Sequence, residues 1–135
     1  MKKELIKDKE QILAVILRSG DFPDGLNFHT QDFDFVQLAT WCYNKGKKST
    51  VHSHNIVDRT AKRTQEVIFV KKGKIKFNIY TEEDRFCREL ILNEGDLIIL
   101  FAGGHGMEIL EDGTQVLEFK NGPYLGLEKD RREIE

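Results

Sequence analysis

Apolar residues along this chain come in short bursts set apart by turn residues, not in long helical stripes. The first burst, residues 12–17, stops at Ser19-Gly20-Asp21, and the second, 35–43, stops at Asn44-Lys45-Gly46. Later bursts at 65–70, 89–92 and 97–101 end at Lys72-Gly73, Asn93-Glu94-Gly95 and Gly103-Gly104. Those at 107–110 and 116–119 end at Asp112-Gly113 and Asn121-Gly122-Pro123. Between residues 74 and 80 the alternation is strict: Ile75, Phe77 and Ile79 point one way, and Lys74, Lys76 and Asn78 the other. Short runs rich in Ile, Val, Leu and Phe, punctuated at regular intervals, predict an all-β sandwich or barrel.

Two connections have the chemistry of tight hairpins. Residues 70–74 place Gly73 where a positive φ is required, and 110–114 carry Asp112-Gly113. An antiparallel sheet that closes on itself follows, because closure removes exposed edges. Over the first 17 residues a helix competes, since Leu5, Ile6, Lys9, Ile12 and Leu13 could share a face; β-branched Val15 and Ile16 favour a strand. Residues 128–135 are highly charged and predict a solvated tail or a short helix.

The 135 residues suit one domain, 1–135, rather than two. With 21 basic and 23 acidic residues the net charge is −2, so nothing electrostatic calls for nucleic acid or an anionic membrane. No run approaches the ~20 apolar residues of a membrane span. The apolar stretch 12–17 is too short for a signal peptide and has acids before it, which points to a cytoplasmic protein. Cys42 and Cys87 stand alone and read as reduced, half-buried small hydrophobes.

Chemistry concentrates in a few side chains. His52 and His54 are two apart, so on a strand both imidazoles face one side and can converge on one ion. An HxH pair also occurs by chance on surfaces. Glu66 opens an apolar burst, where a carboxylate is costly unless it is paired, bound to a cation or at a wet edge. His105 follows Gly103-Gly104, and reads either as an inward ligand or as a hydrogen-bonded core histidine. Met107 shares its face and would line a pocket or fill core. Trp41 and Tyr43 share a strand face; packing into the barrel is the expected role and stacking on a sugar ring the alternative. Gln65 points away from Glu66. Arg59, Lys62 and Arg63 suit a solvated loop before an anion site, and His29 reads as a loop residue.

Taken in order, Gly46, His52-x-His54, Glu66, Gly73, then Gly95 and His105, these residues resemble the two-part signature of the cupin superfamily, with the match centred on residues 46–110. The resemblance implies a small jelly-roll barrel around an internal metal held by three histidines and a glutamate. By position these are His52, His54, Glu66 and His105. Two features depart from the pattern. Eleven residues separate His54 from Glu66, longer than the family's usual gap, and the polar stretch 56–63 would form an inserted loop. Leu100 and Ala102 replace the Pro and Gly of the second motif. The stretches Thr64-Gln65-Glu66-Val67, Gly103-Gly104-His105-Gly106 and Lys120-Asn121-Gly122-Pro123-Tyr124 further resemble short cupins encoded among genes for surface polysaccharide synthesis.

A mixed set of imidazoles and one carboxylate suits Zn, Fe, Mn, Ni or Co and selects poorly among them. The resemblance implies a metal-dependent enzyme acting on a small molecule, by isomerising or epimerising a sugar or nucleotide-sugar. His52 and His54 would serve as acid and base if no metal is used. A non-catalytic sugar or metal sensor is the alternative, and an iron-dependent dioxygenase a third. A homodimer is expected, with the strand at 12–17 as a pairing edge.

Overall fold

The computed structural model of the chain describes residues 2–20 and 22–135, so Asp21 of the first expected turn lies outside the described residues. The structure is all-β apart from one helical turn. Its strands are β1 (Lys3–Asp8), β2 (Gln11–Leu17), β3 (Gly25–Phe28), β4 (Ala39–Cys42), β5 (Glu66–Lys72), β6 (Lys74–Tyr80), β7 (Phe86–Asn93), β8 (Leu97–Leu100), β9 (Gly104–Ile109) and β10 (Gln115–Lys120). The turn of helix, α1 (Leu127–Asp130), opens the charged tail. None of the described helices is long and apolar enough to cross a membrane.

Three sheets form, with strand orders β1-β2-β8-β5-β10, β3-β4 and β7-β6-β9. They do not close into the expected barrel. The strict alternation in β6 has the predicted consequence: Ile75, Phe77 and Ile79 are buried to 1% exposure or less. They pack with Leu90 and Leu92 of β7 against Ala14, Ile16, Ile68, Val70, Ile98 and Leu100 of the five-stranded sheet. That sheet is apolar on its other face too. Val15, Leu17, Val67 and Ile99 form a second cluster, covered by Val36, Leu38 and Phe101. Burial on both faces is why residues 12–17 and 97–101 read as unbroken apolar runs.

The N-terminal segment resolves in favour of strand. β1 pairs antiparallel with β2, and β2 pairs with β8 on its other side. The run 12–17 is therefore interior, not the pairing edge expected of it; the edge is β1. The burst at 35–43 is a strand only over β4, because Val36 and Leu38 leave the ladder to cover the second cluster.

Neither expected hairpin forms a paired ladder: Gly73 turns the chain at φ 84°, but β5 and β6 go to different sheets. A Cβ there would lie 2.3 Å from Thr114 Oγ1, so glycine is required twice over. The second does not form as a hairpin. Gly113 turns the chain as expected, but β9 pairs with β6 and β10 with β5, so the two strands part into different sheets.

Candidate functional site

β5 begins at Glu66, opposite Leu100 of β8 and Lys120 of β10. Residues facing each other in antiparallel strands share a side of the sheet. Glu66 therefore lies on the side of Ile68 and Val70, toward the three-stranded sheet. On that opposing sheet His105 is opposite Ile79, which turns it inward too. The two side chains meet across the gap, with Nε2 of His105 3.2 Å from Oε2 of Glu66. Phe77 backs the imidazole, its ring nearly parallel at 17° with centroids 5.6 Å apart. The glycines before His105 serve the expected tight turn. Gly103 has φ 77°, and a Cβ there would fall 2.1 Å from the Tyr80 carbonyl oxygen.

Only 13% of the Glu66 side chain is exposed. Lys120 Nζ lies 3.5 Å from its Oε1 and 3.1 Å from Glu118 Oε1. His105 Nε2 lies off the line of a hydrogen bond to the buried Oε2, which no other donor reaches. The His105 imidazole beside it, with help from Lys120, holds the Glu66 carboxyl below the usual carboxylate range, while burial pushes the other way. A buried carboxylate oxygen without an aligned donor is costly, and it is a group in this gap suited to a cation or a ligand hydroxyl.

His52 and His54 are not brought to this gap. Residues 47–65 form no strand, and both histidines are exposed. Their rings lie edge to face with centroids 5.3 Å apart, and His52 Nδ1 is 2.9 Å from the Thr50 carbonyl oxygen. Among the described residues, no group of three or more His, Cys, Asp or Glu is gathered closely enough to hold an ion. Of the four expected ligands, Glu66 and His105 meet; His52 and His54 do not join them. Spacing sets the two histidines on one side of an extended segment, but only a neighbouring strand could hold that segment in place.

Lys120 was not among the expected site residues. Its signal lay in the alternation Val116-x-Glu118-x-Lys120, but only the pairing with β5 turns that side inward. Gln65, expected to have no ligand role, is a structural clasp. Its Oε1 accepts from the backbone N–H groups of Phe35 and Val36, at 2.7 and 3.1 Å. Met107 lies opposite Phe77 on the His105 side but is 43% exposed, so it neither fills core nor closes a wall. His29 bonds Thr40 Oγ1 at 2.9 Å. Trp41 and Tyr43 do share a face, yet they stand open to solvent instead of packing inside, because β3-β4 is a separate sheet. Cys42 and Cys87 are free and half-buried, as expected. Comparison with protein-family models, curated proteins and solved structures returns no match.

Proposed function

We propose that the chain is a cupin-type jelly roll that handles a small polar molecule of the sugar or nucleotide-sugar class where Glu66, His105 and Lys120 meet. Two features support the fold reading. Strands β5 to β10 are divided between two facing sheets, with several successive crossings, and the order of Gly, His and Glu positions runs from Gly46 through His105. The observation that carries the site is Glu66 Oε2: buried, 3.2 Å from the His105 imidazole, and without an aligned donor.

A divalent ion between Glu66 and His105 would supply Lewis-acid activation of a carbonyl or hydroxyl oxygen. The chain's own part is to hold the carboxylate ionised and the imidazole fixed against Phe77. β9 pairs only with β6 among the described strands, which leaves its outer edge free. Segment 47–64 is long enough to lie along that edge and carry His52 and His54 inward.

One observation favours the second reading, a non-catalytic binding module. A carboxyl held low is a poor proton acceptor, so Glu66 suits binding better than general base work. Isomerisation would then depend on His52 or His54 as acid and base.

Dialysis against Mn, Fe, Co, Ni or Zn followed by elemental analysis tests the metal. Wild type should retain about one ion per chain, and Glu66→Gln and His105→Ala about a tenth of that or less. Wild type that retains none overturns the metal reading. Turnover of a sugar or nucleotide-sugar that vanishes in His52→Ala would separate enzyme from binding module.

A further inference from the structure

A hollow lies apart from Glu66 and His105, neither of which lines it. It opens to solvent, holds ≈ 640 Å³ and is lined by the turn that follows β4, with Trp41, Tyr43, Lys45, Lys47 and Lys48 around it and Leu26 of β3 beside them. Three properties of this hollow bear on what it could take.

First, its aromatic wall is bare. Trp41 is 63% exposed and Tyr43 45%, with their rings at 82° and centroids 6.3 Å apart. An edge-to-face pair that buries neither ring leaves the broad indole face available to a flat partner. Second, its charge is one-sided. Lysines 45, 47 and 48 fall within four residues, and among the described residues none of them forms an ion pair. Lys47 Nζ instead sits 5.1 Å over the Tyr43 ring. Three other lysines are answered by carboxylates, Lys74 by Glu111, Lys76 by Glu108 and Lys120 by Glu118, whereas no carboxylate lines this hollow. Third, Ser49 and Thr50 add hydroxyls and backbone donors at the same rim.

We propose that this hollow is a second ligand site, for a nucleoside diphosphate group whose base stacks on Trp41 and whose phosphates meet Lys45, Lys47 and Lys48. A flat ring and a compact polyanion are what an exposed indole and three unpaired ammonium groups recognise together. A neutral sugar would leave the lysines unanswered. A nucleic-acid strand would need a basic track beyond the hollow, and the chain carries a net charge of −2. The site stands independently of Glu66 and His105, so its failure would leave the reading of that pair untouched.

Trp41 is the only tryptophan, so its fluorescence reports occupancy directly. Uridine diphosphate should change its emission saturably. Uridine alone and inorganic pyrophosphate alone should each bind at least about tenfold more weakly, by competition or calorimetry, since one charged contact or one stacked base is of that size. The triple variant Lys45→Gln, Lys47→Gln, Lys48→Gln keeps the reporter and should weaken uridine diphosphate by about tenfold or more. These residues are exposed and their loss should leave folding intact, which circular dichroism checks. The proposal is overturned by no saturable change with uridine diphosphate at millimolar concentration. It is equally overturned if pyrophosphate binds as tightly, if the triple variant binds as well as wild type, or if an oligonucleotide binds more tightly than the diphosphate.

Discussion

Asp96 is the least exposed of the buried polar residues among those described, at 2%. Its carboxylate accepts from Arg18 Nη1 at 2.9 Å, from the Ser19 backbone N–H at 2.7 Å and from the Asn93 backbone N–H at 2.9 Å. It ties the turn before β8 to the end of β2, 78 residues away. Removing it leaves three donors unmatched, so Asp96→Ala should cost about 3 kcal/mol in urea unfolding. A loss below about 1 kcal/mol would show that water replaces the carboxylate at little cost. No local signal marks this role, because Asp after Gly95 suits any turn. His52, His54, Glu66 and His105 were legible as candidates from residue type and order. Which of them touch was not, because contact depends on strand register between distant segments.

At the scale of elements, the alternation over β6 and the double-faced runs in β2 and β8 were legible because side-chain direction follows from neighbours two residues apart. Segment 47–64 is the opposite case. It carries exposed Val51, Ile56 and Val57 and forms no ladder. Exposed, unpaired backbone is the first substrate for a protease. Brief trypsin digestion should cut at Lys47, Lys48, Arg59 or Lys62 before any site within β5 to β10. If the segment docks along β9 when metal binds, excess divalent ion should slow that cleavage. First cuts inside the strands would mean that the sheets, not this segment, are the weak part. The parting of β9 from β10 was not legible either. Asp112-Gly113 specifies a turn, but not which partner each flanking strand takes.

For the whole molecule, two properties are open to measurement. Arg18 donates from Nε to Glu4 Oε1 at 3.0 Å and holds the Glu4 carboxyl below the usual carboxylate range. The folded state then binds that proton less tightly than the unfolded state. Its contribution is complete above the ordinary carboxylate range and is lost as pH falls through the lower folded value. The pair is partly exposed, so the effect is under about 1 kcal/mol. Unfolding stability should fall between neutral pH and pH about 3, and less so in Glu4→Gln; equal falls would contradict the pairing. We also propose that two copies associate. β1 is a free edge, and Leu117 and Phe119 expose one side of β10 at 45% and 55%. Light scattering should return about twice 15.7 kDa, and the mass of one chain would refute it.

By itself the sequence determined the all-β character, most of the turns and the inward side of β6. These follow from spacing over two to five residues, where geometry is local. Only the tertiary structure decided that β2 is interior, that β9 and β10 part, and that Glu66 meets His105 and Lys120. It also left His52, His54, Trp41 and Tyr43 outside. Each of those outcomes depends on which strands pair and in what register. That is settled by competition among long-range ladders and apolar faces, which no single stretch of chain contains.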